Sequence, residues 1–211
     1  VFMKYMVIYG SCGHGHQRAA EYITAELRRQ ESGDVVLIDF LDYTNQFLKK
    51  IYPWLYKILV TRLSWLWALS FRITDVRALT GLVAFARRSI NGMHARALVN
   101  YVEQEKPDCI ITTHFFPAEV IAAMRRKKRY SGILVTVITD IIAHVCWINK
   151  GTDYYVGMSE ETKERLMERG VSGENIRCFG IPVASTFEVL NKKSEYRQKY
   201  GLEENRLSVL L

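Results

Sequence analysis

Residues 5–29, YMVIYGSCGHGHQRAAEYITAELRR, decide the fold that the sequence predicts. Residues 6–9 form an apolar run typical of a buried strand, and Ala19 to Leu27 carries apolar residues at helical spacing. Glycines, small polar residues and two histidines separate the two segments. A strand that feeds a helix through such a turn places the turn at the carboxyl edge of a parallel sheet, where α/β proteins bind ligands.

The turn from Ser11 to His16 lacks both common phosphate-binding patterns. It is not a GxGxxG fingerprint, and it lacks the Lys-Ser/Thr ending of a P-loop. The free amides at a helix start still favour negative charge. His16 stands where the helix should begin, and an imidazole can take a proton from a hydroxyl near neutral pH. The alternative for His16 is a hydrogen-bonded structural role.

The rest of the chain repeats the alternation of strands and helices. Strands are predicted at residues 35–39, 109–113, 134–139, 153–157 and 176–180, and helices at 43–71, 80–104, 117–124, 159–170 and 187–200. This rhythm predicts an α/β fold with a Rossmann-like parallel sheet and flanking helices. Residues 207–211 have the pattern of one more strand. Residues 1–186 are therefore predicted to form one domain, and residues 187–211 a linker helix and the start of a second, truncated domain.

Polar residues follow three predicted strands at the point where each ends. They are Ser11 to His16, Thr113 with His114, and Thr139 with Asp140. Because the carboxyl ends of parallel strands meet at one edge, these residues should converge on one cleft. His144 and Trp147 follow the third strand closely and are expected to line the same cleft.

The net charge of +7 is concentrated in residues 43–97, which hold nine lysine and arginine residues and a single acid, Asp75. Such a basic stretch predicts an acidic partner: a phospholipid surface, a nucleic acid or a polyphosphate. Its first half is also rich in aromatic residues, including Trp54, Trp65 and Trp67.

Two interpretations of this aromatic stretch remain open. It is either a helical pair packed on the core with extended basic side chains, or an interfacial segment with tryptophans at headgroup depth. Lys57 and Arg62 interrupt the apolar run, which argues against a transmembrane helix. Nucleic acid ranks lower as a partner, since no RNA- or DNA-binding motif accompanies the patch.

Other classes of site are not indicated by the sequence. The four cysteines are scattered, without a CxxC pair or metal-ligand spacing, which favours reduced thiols of a cytosolic protein. No GxSxG elbow, no DxD carboxylate pair and no signal peptide is visible. Neither a metal nor a cofactor is therefore predicted.

The motifs of the chain resemble those of the monogalactosyldiacylglycerol synthase and processive diacylglycerol glucosyltransferase family. Ser11-x-Gly13-x-Gly15-His16-x-x-Ala19-Ala20 resembles the opening motif of that family, and lipid-II-forming N-acetylglucosaminyltransferases open with a related turn. The further matches, in order, are Thr113-His114-Phe115-Phe116-Pro117, Thr139-Asp140, His144-x-x-Trp147, and Phe179-Gly180-Ile181-Pro182-Val183 with Phe187. Val145-Cys146 departs from the family, which commonly has a proline there.

The resemblance implies a GT-B glycosyltransferase, in which two Rossmann-like domains face each other and sugar transfer is inverting and independent of metal. The chain matches the N-terminal, acceptor-binding half. His16 would be the base that deprotonates the acceptor hydroxyl. Acceptor- or lipid-binding residues implied by the resemblance are Gly13, Gly15, His114, Thr139, Asp140, His144 and Trp147, together with Trp54, Trp65 and Trp67 in the membrane-facing region.

The predicted function is transfer of a hexose from a UDP-sugar to diacylglycerol, by a peripheral protein on the cytoplasmic side of an anionic phospholipid membrane. The nucleotide-sugar site would lie mainly in the second domain, so this chain alone is expected to be inactive. Two alternatives remain: a transferase of the same fold acting on a polyprenyl-linked acceptor, and a non-catalytic module that binds anionic lipid.

Overall fold

The computed structural model describes residues 2–75, 95–188 and 193–209. Its centre is a six-stranded parallel sheet with the strand order β2-β1-β3-β4-β5-β6. The strands are β1 (Met3–Tyr9), β2 (Gly33–Asp39), β3 (Cys109–Thr112), β4 (Ile133–Val137), β5 (Tyr154–Gly157) and β6 (Ile176–Cys178). The predicted α/β fold class with a parallel sheet is thus confirmed.

Helices cover the two faces of the sheet unequally. They are α1 (His14–Arg29), α2 (Gln46–Thr61), α3 (Ser64–Thr74), α4 (Arg96–Glu105), α5 (Phe115–Arg126), α6 (Glu160–Glu168) and α7 (Lys193–Lys199). On one face, Ala20 of α1 packs with Val7 and Val35. On the other face, the alternate strand residues Met6 and Ile8 pack in a larger core with residues of α4 and α5.

On the face that carries α1, the described residues leave a groove beside that helix. An apolar groove of about 590 Å³ runs between α1 and residues 179–183. Its floor is the outward side of β3, β4 and β5, with Ile111, Val135 and Val156. Residues of α4 and α6 pack on the opposite face of the sheet, so among the described residues the groove is flanked by α1 and residues 179–183.

Several element boundaries differ from the sequence prediction. Helix α1 begins at His14, earlier than Ala19, with Gly13 as its N-cap. Strand β4 ends at Val137, so Thr139 and Asp140 lie in the loop that follows it. Of the helix predicted at 80–104, the structure describes only the part from Arg96, and residues 80–94 lie outside the described ranges.

The C-terminal segment also differs from its prediction. A short 3-10 turn (Ser185–Glu188) and the seven-residue α7 occur where one helix is predicted at 187–200, with residues 189–192 outside the described part. Residues 207–209 have no regular secondary structure, and the last two residues of the predicted strand are not described. The predicted domain boundary after residue 186 stays a prediction.

Helices α2 and α3 form an aromatic hairpin (residues 46–74) in which no residue is fully buried. Asn45 caps α2 by accepting a hydrogen bond from the Leu48 amide at 2.7 Å. Large apolar side chains stay exposed along both helices: Phe47, Trp54, Leu55, Val60, Trp65, Leu66, Leu69 and Ile73. No helix within the described ranges is long and apolar enough to cross a bilayer.

Candidate active site

The ends of β1 and β3 lie at the point where the order of the strands across the sheet reverses. From β1 the chain moves outward to β2, and it then returns to form β3 on the other side of β1. The segments that follow β1 and β3 therefore diverge, and the crevice between them is the usual ligand site of open α/β sheets. His16 of α1 and His114 after β3 meet there, with ring centroids 4.8 Å apart.

His16 is held through its Nδ1 atom by residues from two other strand ends. Nδ1 lies 2.8 Å from the carbonyl oxygen of Thr113 and 2.7 Å from Oγ1 of Thr139. A carbonyl oxygen can only accept a hydrogen bond, so the contact with Thr113 requires the proton to be on Nδ1. The neutral ring then has its lone pair on Nε2, and no residue in the described ranges hydrogen-bonds to that atom.

The environment of His16 favours its neutral form. Burial lowers the pKa of His16 below the usual histidine value. The negative charge of Asp140 and the hydrogen bond to Thr113 act in the opposite direction and do not outweigh burial. A neutral imidazole whose Nε2 lone pair is available can accept a proton from a hydroxyl group.

His114 is a buried support behind His16. Its Nδ1 accepts a hydrogen bond from the Phe116 amide at 3.1 Å, which caps the start of α5 and requires the proton to be on Nε2. Nε2 faces Sγ of Cys12 at 3.7 Å. Complete burial, with a smaller effect of His16, lowers the pKa of His114 well below the usual value. His114 therefore remains neutral and holds the first turn of α5 against His16.

Trp147 forms the wall of the site opposite His114. Its side chain is fully buried, and its ring centroid lies 6.1 Å from that of His16. The indole Nε1 donates a hydrogen bond to Oδ2 of Asp140 at 2.7 Å. The Asp140 carboxylate is thus held by Trp147 rather than by His16, and its charge acts on His16 through space.

His144 lies beside this group instead of inside it. Its Nδ1 accepts a hydrogen bond from the Cys146 amide at 3.1 Å and caps the short 3-10 turn Val145–Trp147. Its Nε2 lies 3.1 Å from the carbonyl oxygen of Phe71 in α3. His144 therefore joins the turn that carries Trp147 to the aromatic hairpin.

The inner side of the hairpin closes the site next to the glycine turn. The Tyr52 ring packs edge-on to His114, with centroids 6.4 Å apart. The Tyr56 hydroxyl would lie 3.8 Å from a Cβ atom at Gly13. Burial and the nearby negative charge of Asp140 raise the pKa of Tyr56, so its hydroxyl stays protonated.

The three tryptophans predicted in this stretch divide between the two sides of the hairpin. Trp67 is half-buried and packs edge-on to Tyr56 at 5.7 Å. Trp54 and Trp65 are 60% and 66% exposed. One side of the hairpin therefore packs on the site, as the first interpretation of the stretch expects, and the other faces solvent; the interfacial interpretation of that outer side stays a prediction.

Gly13 and Gly15 are not required by the packing of the described chain. A Cβ atom at Gly15 would meet no atom within 4 Å, and one at Gly13 would make only ordinary contacts. Gly10 differs, because any side chain there would collide with the Phe40 ring. The turn thus leaves open space above the first turn of α1.

Two acidic residues that sequence reasoning missed organise this region. Asp39, at the end of β2, accepts hydrogen bonds from the Ser11 amide at 3.3 Å and the Leu41 amide at 3.0 Å. Asp75, at the end of α3, accepts from Val145. Each had a signal in the sequence: Asp39 ends a predicted strand as the other site residues do, and Asp75 is the only acid in the basic stretch.

The described residues offer no site of metal-binding geometry. No group of three or more histidine, cysteine, aspartate or glutamate side chains there is placed to hold a metal ion. All four cysteines are free thiols. The His16 ring is set in a hydrogen-bonded frame formed by Thr113 and Thr139.

Fold and site together define an α/β protein with a histidine at the switch point of a parallel sheet. The sequence profile of Monogalactosyldiacylglycerol (MGDG) synthase matches residues 16–183. The chain belongs to this family. The family predicted from the motifs is therefore confirmed.

Curated relatives extend the match along the chain. A processive diacylglycerol beta-glucosyltransferase of Bacillus cereus (strain G9842) is 26% identical over 99% of this chain and 52% of the relative. A protein of the same description from Bacillus thuringiensis (strain Al Hakam) is 24% identical, with the same coverage. The chain spans about half the length of the curated relatives it matches.

Solved structures with a similar course of the chain are more distant. The lipopolysaccharide outer core galactosyltransferase WaaB is 14% identical, with a TM-score of 0.48 over 85% of this chain and 45% of that one. The UDP-GlcNAc 2-epimerase from Neisseria meningitidis is 12% identical, with a TM-score of 0.47 over 96% of this chain and 55% of that one. The family assignment does not depend on them.

Proposed function

We propose that this chain is the acceptor-binding half of a hexosyltransferase that moves a sugar from a UDP-sugar to diacylglycerol at a membrane surface. The observation that carries the proposal is the state of His16: Nδ1 is hydrogen-bonded to Thr113 and Thr139, and burial keeps the ring neutral. Family membership supports the reaction class. Residues 187–211 would lead into a donor-binding domain that holds most of the nucleotide-sugar site.

The proposed reaction uses His16 as a general base. Nε2 takes the proton of the acceptor hydroxyl, and the oxygen attacks the anomeric carbon from the face opposite UDP. The new carbon–oxygen bond forms as the bond to the diphosphate breaks, and UDP leaves with the electron pair. The hydrogen bond from Nδ1 to Thr113 stabilises the imidazolium that results, in the way that an orienting acceptor does in other histidine bases.

The other site residues divide into supporting and contacting roles under this proposal. His114 and Trp147 are buried and would fix the ring of His16 without touching the acceptor. The open space above Gly15 would admit the acceptor headgroup. The exposed side of the aromatic hairpin, with Trp54 and Trp65 beside lysines and arginines, would rest on an anionic membrane.

The test replaces His16 in the full-length protein. His16→Ala should reduce turnover of diacylglycerol and UDP-sugar at least about a thousandfold, because general-base catalysis contributes roughly that factor. The matched control is His14→Ala, at an exposed position two residues earlier, which should keep turnover within about twofold of wild type. Binding to vesicles of phosphatidylglycerol and phosphatidylcholine should be unchanged in both variants.

The outcomes separate the proposal from its alternatives. Near-normal turnover in His16→Ala would remove His16 from the role of base. Transfer to a polyprenyl-linked acceptor but not to diacylglycerol would favour the alternative acceptor class. Vesicle binding by a wild-type protein that transfers no sugar would indicate the lipid-binding module, which the exposed hairpin also favours.

A further inference from the structure

Asp75 lies outside the site, yet it joins three separate segments around it. It directly follows the aromatic hairpin, as the C-cap of α3, and is the only acid in the sequence of residues 43–97. Its Oδ1 accepts a hydrogen bond from the Val145 amide at 3.0 Å. Its Oδ2 accepts from Arg165 of α6 at 2.8 Å and from Arg169, the residue that follows α6, at 2.7 Å.

Asp75 and its two arginines form a partly buried ionic junction, in which the Arg165 side chain is 36% exposed. The Asp75 side chain is 13% exposed, and that of Arg169 is 14% exposed. Burial alone would raise the pKa of Asp75, but the Val145 amide and the Arg165 guanidinium outweigh this effect, and the pKa lies below its usual value. The carboxylate is therefore ionised and paired near neutral pH. Loss of one partner of such a pair leaves an uncompensated charge, which makes the junction sensitive to substitution.

The segment held by this junction is the one that carries Trp147. Arg165 also donates a hydrogen bond to the Ala143 carbonyl oxygen at 3.2 Å, so it binds both the Asp75 carboxylate and the loop that contains Ala143. His144, next in the chain, packs its ring on Phe71 of α3 with centroids 4.1 Å apart. Residues 143–147 are thus fixed between α3 and α6 by Asp75 and its partners.

From this segment the contacts continue to His16. Trp147 holds the Asp140 carboxylate at 2.7 Å and packs beside the His16 ring. A displacement of residues 143–147 would therefore move both the wall of the site and the charge that acts on His16. Thr139, which hydrogen-bonds to His16, immediately precedes Asp140.

We propose that Asp75 is a positioning residue: it locks residues 143–147 between the aromatic hairpin and α6, and thereby sets the geometry of the His16 site. The effect of Asp75 on turnover rests on the proposed function, whereas its effect on the position of residues 143–147 does not. Asp75 acts through Val145 and Trp147 and touches no reacting atom.

The experiment compares, in the full-length protein, two aspartates that each accept hydrogen bonds from a backbone amide and from arginine. Asp75→Asn keeps an oxygen for the Val145 amide but removes the charge that pairs both arginines. The matched control is Asp153→Asn, because Asp153 likewise accepts from an arginine, Arg125, and from a backbone amide, that of Leu134. Asp153 lies at the amino end of the sheet, away from His16.

Hydrogen exchange measured by mass spectrometry gives the local readout. Amides of residues 143–148 should exchange at least about tenfold faster in Asp75→Asn, and at the wild-type rate in Asp153→Asn. Turnover should show a kcat reduced about tenfold or more in Asp75→Asn, with binding to phosphatidylglycerol vesicles within twofold of wild type. If Asp75→Asn fails to fold, Arg169→Gln replaces it in the experiment. This variant removes only one partner of Asp75 and should give smaller changes in exchange rate and kcat in the same direction.

Two results would overturn the inference. One is an unchanged exchange rate at residues 143–148 in both Asp75→Asn and Arg169→Gln. The other is faster exchange there with kcat within twofold of wild type, which would leave Asp75 with a structural role alone. If the wild-type protein transfers no sugar, the proposed function fails, and the exchange measurement still decides whether Asp75 holds the segment.

Discussion

At the scale of single residues, the chemistry of this chain depends on which nitrogen of each histidine carries the proton. His16 presents Nδ1 to a carbonyl oxygen, whereas His114 and His144 present Nδ1 to backbone amides. An amide donates, so His114 and His144 are protonated on Nε2 when neutral and serve as caps. Of these three histidines, His16 is the one arranged with Nε2 as the acceptor. The group that lies next to Nδ1 thus decides whether a neutral histidine donates or accepts a hydrogen bond at that atom.

The Thr139 hydroxyl offers a residue-scale test of this arrangement. Thr139→Val keeps the shape of the side chain but removes the oxygen that lies 2.7 Å from Nδ1 of His16. We expect kcat to fall about tenfold, which corresponds to one hydrogen bond of about 1.4 kcal/mol that orients the base. Thr139→Ser retains the hydroxyl and should keep kcat within about threefold of wild type. Equal loss in both variants would show that the methyl group, not the hydroxyl, matters.

At the scale of elements, the aromatic hairpin exposes many large apolar side chains. Neither α2 nor α3 buries a residue fully, and the exposed apolar side chains lie next to exposed Lys50, Lys57 and Arg62. A contiguous apolar surface of this kind commonly marks an interaction site. Its inner side is already occupied by contacts with the site, so an added partner would bind to the outer side.

Removal of the two outward tryptophans tests the hairpin as a membrane contact. Trp54→Ala combined with Trp65→Ala should weaken binding to phosphatidylglycerol vesicles about tenfold or more, because each indole would lose apolar burial in the interface. Binding should also weaken as salt rises, since the basic residues contribute by a screened attraction. Cosedimentation with vesicles at two salt concentrations measures both effects.

The control for this element uses an exposed aromatic residue elsewhere. Phe179 is 77% exposed and follows β6, away from the hairpin sequence. Phe179→Ala should bind vesicles as the wild type does. A tryptophan double variant that binds normally would contradict the assignment of the hairpin to the membrane.

At the scale of the whole molecule, the buried His114 contributes both to the stability of the fold and to the candidate site. His114 is buried and packs on Phe40, which belongs to the same core as Met6, Ile110 and Phe116, and its ring also lies against that of His16. Its pKa in the folded state lies well below the usual value because of burial, whereas in the unfolded chain it is about 6.5. Below that pH the unfolded state binds more protons than the folded state, so stability falls as the pH falls.

The corresponding prediction concerns the pH dependence of unfolding. The free energy of unfolding should decrease from about pH 6.5 downward in the wild type, as measured by urea titration of the full-length protein. His114→Asn keeps an oxygen to cap α5 but cannot ionise, so its stability should decline less steeply over the same range. It should be less stable than the wild type at pH 8, because the ring leaves a cavity. His14→Asn controls for the loss of a histidine, and identical slopes in wild type and His114→Asn would refute the assignment.

Much of the fold was predictable because its signals are local. The helix predicted from residue 159 onward is present, and the Ser159 hydroxyl caps it by accepting a hydrogen bond from the Thr162 amide at 3.3 Å. The convergence of His16, His114, Thr139 and Asp140 followed from one rule, that parallel strands end at a common edge. Helix starts were less predictable: Gly13, which a sequence pattern assigns to a turn, caps a helix whose first turn contains Gly15.

The sequence by itself determined the class of fold, the edge of the sheet that carries the site, and the family. Those features depend on apolar periodicity, strand ends and motif order, all of which are properties of neighbouring residues. Only the tertiary structure decided that His16, unlike His114 and His144, has an available Nε2, that Trp147 is buried beside it, and that Asp75 joins α3 to α6. These roles depend on partners 70 to 123 residues away in the chain, and on burial, which no local pattern specifies.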